Sequence, residues 1–180
     1  MTGVQTCALP ICGDIKAYRE LYENIPEYGK SIEIGCFFGR SIASVSDIII
    51  RKKIKVYIVD LFNVKEWNSH KVKLDIASHY DEFINILKFY KINKNVCAFC
   101  MSSLDSHIFF NDNDFDLIFL DSQHTYEHLS NEIKLYKNKL KPNGVLCGHD
   151  FYKNSEVEKV INEKFTSYIV KENSSIWVGV

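Results

Sequence analysis

Five short apolar runs dominate this chain: "SIEIG" (31–35), "KVYIVD" (55–60), "NVCAFC" (95–100), "FDLIFLD" (115–121) and "VLCGHD" (145–150). Runs this short and this continuously apolar read as strands covered on both faces. Helical segments alternate with them. Residues 15–25 set Leu21 and Ile25 four apart beside Tyr18 and Tyr22, and Pro26 with Gly29 close that helix. Further helices are predicted over 40–52, over 80–90 with Phe83, Ile86 or Leu87, and Tyr90 on one face, over 125–139 with Leu129, Ile133, Tyr136 and Leu140 on one face, and over 155–165 with Val157, Val160 and Ile161 inward. "KPNG" (141–144) reads as a turn, and residues 61–78 are polar without a clear period. Strands alternating with helices form a mostly parallel sheet covered on both sides. "SYIVKE" and "SSIWVGV" leave no room for a crossover helix, so they should pair as an antiparallel hairpin at one edge. The expected fold is α/β, a Rossmann-like, doubly wound, mostly parallel seven-stranded sheet with a C-terminal antiparallel hairpin.

Composition excludes several classes. With 46% apolar and 25% charged residues, 180 residues suit one globular domain. A net charge of −1 argues against a nucleic-acid partner held by bulk electrostatics. No apolar run approaches the roughly 20 residues that span a bilayer, so no membrane association and a cytoplasmic location are expected. Cys36, Cys97, Cys100 and Cys147 read as small buried apolar residues; the "CAFC" pair has an odd offset that suits neither redox nor zinc chemistry. The leader "MTGVQTCALPIC" (1–12) is out of character with the Lys-, Asn- and Ile-rich remainder. It reads as translated sequencing adapter, so the domain is expected to comprise residues 13–180.

In an open α/β sheet, ligands bind beyond the carboxyl ends of the strands. Those ends carry Glu33 and Gly35, Asp60, Met101-Ser102-Ser103, Asp121 to His124, and Gly148-His149-Asp150. "EIGCFFGRS" (33–41) is a glycine-punctuated strand-to-helix turn, suited to a ligand or simply to a sharp bend. Asp60, 25 residues after Gly35, ends the next strand, where a carboxylate can accept from ribose hydroxyls. Together these features indicate a nucleoside-type cofactor without specifying which. Asp121 either caps the next helix or marks the place where chemistry happens, and "MSS" is either a cofactor edge or a cap formed by Ser103. His70, His79, His107 and His128 show no constellation and read as surface residues.

The segments "FDLIFLDSQHTYEHLSNEIKLYKNKLKPNGVLCGHDFY", "IEIGCFFGRS", "VYIVDLF", "MSSLDS" and "SSIWVGV" resemble the class I S-adenosylmethionine-dependent methyltransferases, in the branch with D-x-x-H-x-Y after strand four and G-H-D-[YF] after strand five. The resemblance covers residues 31–180; Asp121-Ser122 and Asn143-Gly144 depart from the usual Asp-Gly and Gly-Gly. It implies S-adenosyl-L-methionine as cofactor, with Glu33, Gly35, Cys36, Phe37, Gly39 and Ser41 lining its methionine and ribose part. Asp60 and Leu61 would lie at the ribose, Met101, Ser102 and Ser103 at the adenine edge, and Asp121 facing the cationic sulfonium. It also allows a divalent metal, Mg2+ or softer, on Asp121, His149 and Asp150. His124 is the preferred general base, with His149 competing for that role and Asp121 completing the catalytic set. Tyr126 and Tyr152 would pack beside the cofactor.

The implied reaction is O-methylation of a small hydroxylated acceptor, sugars included; no feature of the sequence sets an oligomeric state. Two alternatives stand beside it. A nicotinamide-dependent oxidoreductase would share the glycine turn and strand-two acid but lacks G-x-G-x-x-G. An inactive or truncated cofactor-binding module would bind without turnover.

Overall fold

The computed structural model describes residues 12–62 and 76–179. Among these, β1 (Lys30–Ile34), β2 (Lys55–Asp60), β3 (Val96–Cys100), β4 (Phe115–Leu120), β5 (Leu140–Gly148), β6 (Tyr168–Val170) and β7 (Trp177–Gly179) form one sheet. Their spatial order is β3-β2-β1-β4-β5-β7-β6. The first five run parallel, while β7 pairs antiparallel with both β5 and β6. The expected sheet and its C-terminal hairpin are therefore present. Strand order reverses between β1 and β4, so the carboxyl ends of these two central strands flank the crevice where such sheets bind ligands.

The period-two alternation of strand side chains divides the core in two. Val56 and Ile58 of β2, Leu117 and Phe119 of β4, Cys147 of β5 and Val178 of β7 face one side. There they meet α1 (Cys12–Glu23), α3 (Ser46–Lys52) and Phe83 and Leu87 of α4 (Ile76–Phe89). Ile32, Ile34, Ile118, Leu120, Leu146 and Trp177 face the other side, against α6 (Tyr126–Tyr136) and α7 (Glu156–Lys164). Each fully buried isoleucine contributes about 1.5–3 kcal/mol. The central strand β1 breaks the pattern: Ser31 and Glu33 occupy its first-side positions and are buried. Their partners are the hydroxyls of Tyr22 (3.1 Å from Ser31) and Tyr18 (3.0 Å from Glu33), both on α1.

Several expectations change in detail. The single helix over 40–52 is two, α2 (Arg40–Ser44) and α3, interrupted at Val45. The Ser44 hydroxyl donates to the Ser41 carbonyl at 2.6 Å and Arg19 donates to the Ser44 carbonyl, diverting the helical ladder there. "KPNG" lies within β5 rather than in a separate turn. Phe115 pairs with Leu140 and Leu117 with Val145, so residues 141–144 form an irregularity opposite Asp116. Leu140 accordingly opens β5 instead of ending the preceding helix, which finishes in a 3-10 turn over Lys137–Lys139. Cys97 and Cys100 are exposed, because β3 is an edge strand; Cys36 and Cys147 are buried, and all four are free. The adapter reading of residues 1–12 falls outside the described residues except at Cys12, which opens α1. Most of the unassigned 61–78 stretch also lies outside them. Among the described residues, no helix is long and apolar enough to cross a membrane.

Two backbone hydrogen bonds bring the strand tips together: Gly35 N–H to the Val59 carbonyl (2.8 Å) and Asp121 N–H to the Ile34 carbonyl (2.8 Å). Gly35 has φ +84°, and a Cβ there would stand 2.3 Å from the Asp121 carbonyl oxygen. Gly35→Ala should therefore destabilise the protein by about 2–4 kcal/mol in urea unfolding, from backbone strain plus the clash. A loss under about 1 kcal/mol would show that the two tips separate easily.

Candidate active site

Asp60 organises the turn after β1. Its Oδ2 accepts from the backbone N–H groups of Cys36 (2.8 Å) and Phe37 (2.9 Å), and its Oδ1 from that of Phe62 (2.7 Å). Phe37 and Phe62 both adopt positive φ, 50° and 49°, in the left-handed region that bulky residues rarely occupy. One carboxylate thus holds two strained turns together. Gly39, at φ 77°, precedes α2 and packs so closely on Phe83 that a Cβ would stand 2.8 Å from that ring. Glu33 lies beneath the turn, buried, and accepts from the Ser41 hydroxyl (2.6 Å) and the Tyr18 hydroxyl. Burial, reinforced by the charges of Asp121 and Asp60 and opposed by those two hydrogen bonds, pushes its carboxyl up to about 8.

On the other side of the crevice, four side chains converge. Asp121 follows β4 and His124 lies three residues on; His149 and Asp150 follow β5. Thr125, not Asp121 or His124, caps α6, accepting from His128 N–H at 3.4 Å. His124 Nε2 stands 2.9 Å from Asp150 Oδ2 and 3.4 Å from Asp121 Oδ1. His149 Nδ1 stands 3.3 Å from Asp150 Oδ1 and 3.6 Å from Asp121 Oδ1. Asp150 is buried with φ 60°, so strain is stored at the site itself. Burial alone would strip His124 of its proton, but the facing Asp121 and Asp150 outweigh it and raise its pKa to about 9. Burial likewise opposes protonation of His149, yet Asp121, Asp14 and Asp150 hold it far above the usual imidazole range. Asp150 is held well below the usual carboxylate range, the two imidazoles overcoming the upward push of burial.

These contacts are close but poorly aligned. Among the described residues, Asp121 Oδ1, His124 Nε2 and His149 Nδ1 are all buried without a well-aligned hydrogen-bond partner. Ligand atoms about 2.1 Å from a divalent ion lie roughly 3.0 Å apart along octahedral edges and 3.4 Å apart along tetrahedral ones. The separations of 2.9–3.6 Å match those edges. The donor atoms of Asp121, His124 and Asp150 lie within 4.8 Å of one another. Asp121, His124 and Asp150 could therefore hold a divalent ion, with His149, which the resemblance put in that set, standing beside the group and not within it.

The remaining predicted residues divide. Ser102 is the N-cap of α5 (Ser103–Ser106), accepting from Leu104 N–H, in place of the expected cap Ser103. Ser103 instead meets His128 Nε2 at 3.2 Å, and His128 meets buried Glu132 at 3.1 Å, which corrects the surface reading of His128. Met101 N–H donates to the Asp60 carbonyl (3.1 Å), joining the β3 tip to β2, and Leu61 is exposed beside it. Tyr126 is drawn to Glu163 of α7 and lies under Lys159, while Tyr152 stays half-exposed near Asp150. His79 is buried among Phe37, Phe38 and Phe62, not on the surface; His70 lies outside the described residues.

Sequence reasoning missed Asp14 and Ser175. Asp14 Oδ2 is 3.4 Å from His149 Nε2, and the Ser175 hydroxyl is 2.9 Å from the same nitrogen. An aspartate in the first turn of an amphipathic helix looks like a dipole partner, so nothing local marked it.

The sequence profile of a family described as "Methyltransferase domain" matches residues 32–151, two thirds of the chain. The chain belongs to that family. The matched span includes the glycine turn, Asp60, Asp121, His124, His149 and Asp150. With its doubly wound sheet the protein is a class I methyltransferase, which decides against the nicotinamide oxidoreductase alternative. No curated protein matches the sequence significantly. Among solved structures, a Corynebacterium glutamicum protein aligns with TM-score 0.67 at 10% identity, over 95% of this chain and 82% of its own. A protein described as a candidate O-methyltransferase from Nostoc punctiforme gives 0.65 at 12%, over 93% and 56%. Geranyl diphosphate C-methyltransferase from Streptomyces coelicolor, solved with Mg2+, geranyl diphosphate and S-adenosyl-L-homocysteine, gives 0.61 at 12%, over 89% and 63%. The methyltransferase thus spans less than two thirds of the latter two proteins, and identities this low establish the fold alone.

Glu33 gives this methyltransferase a pH signature. Its folded pKa of about 8 exceeds the unfolded 4.5, so the folded state keeps a proton that the unfolded chain releases. The stability this supplies is complete below the unfolded value and is lost as pH rises through the folded one. Replacing Glu33 by Gln should remove the loss, so the Tm advantage of Glu33→Gln over wild type should widen by at least about 5 °C between pH 5 and 8.5. Parallel Tm–pH curves would show that Glu33 is ionised in the fold.

Proposed function

We propose that this methyltransferase transfers the methyl group of S-adenosyl-L-methionine to an oxygen of a small hydroxylated acceptor, sugars among them, beside a divalent ion. The observation that carries this reading is the meeting of two chemically different half-sites across the β1–β4 crevice. One is a backbone turn held by Asp60; the other is the Asp121, His124, His149 and Asp150 cluster.

Gly35, Cys36, Phe37 and Gly39 supply the backbone wall for the nucleoside, with Glu33 and Ser41 setting its position from beneath. Among the described residues Asp60 Oδ1 accepts from one amide, so it retains capacity for a ribose hydroxyl. Leu61, Met101, Ser102 and Ser103 border the adenine. Asp121 and Asp150 place negative charge where a sulfonium would sit.

Asp121, His124 and Asp150 would hold the ion. A divalent ion there would supply Lewis acidity to the acceptor hydroxyl, lowering its pKa so that its proton passes to water as the methyl–oxygen bond forms and the methyl–sulfonium bond breaks. His124 keeps its proton at neutral pH when no ion is bound, and as a ligand its lone pair is engaged, so the free-base role predicted for it gives way to ligation. The residues' catalytic task is then positional: to hold the acceptor oxygen in line with the methyl carbon in a water-poor cleft. The Mg2+ bound by geranyl diphosphate C-methyltransferase supports an ion in a fold of this kind.

S-adenosylhomocysteine should bind in calorimetric titration, and no binding at millimolar concentration would defeat the reading. Asp60→Asn should weaken that affinity about 10–100-fold. Asp60→Ala would also strand three backbone N–H groups and lower Tm, so it is the poorer probe. Turnover should drop at least about tenfold in excess EDTA and recover on adding a divalent ion; full retention would exclude a catalytic ion.

A further inference from the structure

We infer that Glu132 and His128 are positioning residues that fix the hydroxyls of Ser103 and Ser122 as a hydrogen-bond donor and an acceptor, a pair that selects a 6-aminopurine nucleoside over its 6-oxo analogue. The inference rests on the nucleoside-cofactor reading above and deepens it by naming the edge of the base that is read and the residues that set its polarity.

The two serines flank the nucleoside side of the crevice. Ser122 follows Asp121 at the β4 tip, and a Cβ on Gly35 would stand 2.8 Å from its Cα, so it abuts the glycine turn. Ser103 opens α5 two residues beyond Met101, whose N–H joins the β3 tip to the Asp60 carbonyl. One chain of contacts runs between them. Ser103 Oγ lies 3.2 Å from His128 Nε2, that nitrogen lies 3.1 Å from Glu132 Oε1, and the Ser122 hydroxyl donates to the same oxygen at 2.5 Å. The chain bridges the tips of β3 and β4, which the sheet separates by two strands. It is not needed to fasten α5 to α6. The Tyr136 hydroxyl already does so, donating to the Ser103 carbonyl (2.9 Å) and meeting the Ser106 hydroxyl (2.6 Å).

The hydrogens of the bridge can be assigned. Glu132 Oε1 takes the Ser122 hydrogen and also faces His128 Nε2, so Nε2 carries hydrogen and donates. A ring nitrogen bearing hydrogen has no lone pair to offer. Ser103 therefore accepts from it in a shared, three-centre bond and keeps its own hydrogen for another acceptor. Ser122 has committed its hydrogen to Glu132 and presents lone pairs. Glu132 itself is buried, and its Oε2 has no hydrogen-bond partner among the described residues, so the network is not closed on itself. A 6-aminopurine sets an N6 donor beside ring-nitrogen acceptors at N1 and N7, which complements this pair. A 6-oxopurine replaces that donor by the O6 acceptor and puts hydrogen on N1. Ser122 would then face an acceptor with a hydroxyl whose hydrogen is held by a buried carboxyl group.

The test is calorimetric titration of the purified full chain with S-adenosylhomocysteine and with S-inosylhomocysteine, its 6-oxo analogue. Wild type should prefer the adenosyl compound by at least about 30-fold. Glu132→Leu removes the group that holds the Ser122 hydrogen, so the preference should fall to within about threefold. Glu132→Gln keeps an oxygen at the Oε1 position and should retain most of it. Ser122→Ala, which leaves the buried carboxyl group in place, should weaken adenosyl binding about tenfold and inosyl binding little. A role confined to packing α6 would lower Tm or weaken both ligands equally, leaving their ratio as in wild type. Equal affinity of wild type for the two nucleosides overturns the inference while leaving the cofactor site in place. An unchanged ratio in both Glu132→Leu and Ser122→Ala also overturns it. Binding of neither compound at millimolar concentration would defeat the cofactor reading itself.

Discussion

The central strands β1 and β4 end in contact with each other, and the rest of the site depends on that approach. Gly35 has no side chain to collide with the Asp121 carbonyl, and the Asp121 N–H bonds back to Ile34. The contact sets the turn that Asp60 holds and the carboxylate that opens the Asp121–Asp150 cluster at a common rim. It occurs at the switch in strand order, where neighbouring connections leave in opposite directions and no crossover covers the strand ends.

Around this contact the protein buries an unusual amount of polarity. Glu33 sits in the centre of the sheet with two hydroxyls for company, and His149 is enclosed by Asp14, Asp121 and Asp150. Buried charge is costly unless paired and hydrogen-bonded. Here the pairing is good on the outer side of His149 and poor on the inner side, where three donor atoms lack partners. That asymmetry distinguishes a structural network from one that leaves capacity for a ligand.

Much of this was legible beforehand. The apolar runs ending on polar residues placed the strands, and the need for crossovers made the sheet parallel. Where local reading failed, a longer-range partner intervened. Arg19, 25 residues away, broke the helix at Ser44. Edge position exposed Cys97 and Cys100, which strand-like surroundings had suggested were buried. His79 carried no periodic signal and was buried by Phe37 and Phe38, distant in the chain, while His128 is half-buried between Ser103, 25 residues away, and Glu132 on its own helix.

By itself, the sequence determined the order of elements, the class of sheet and the identity of the polar strand ends, because these follow from local periodicity and from the chemistry of individual residues. It also brought His124, His149, Asp121 and Asp150 into consideration, because strand tips are recognisable where an apolar run stops. Only the tertiary structure decided which atoms of those side chains face one another, that Glu33 turns inward, and that Asp14 and Ser175 stand behind His149. Those facts depend on the start of α1 meeting the segment that enters β7, beside the end of β5. The contact joins residues about 160 positions apart, and no spacing in the chain encodes it.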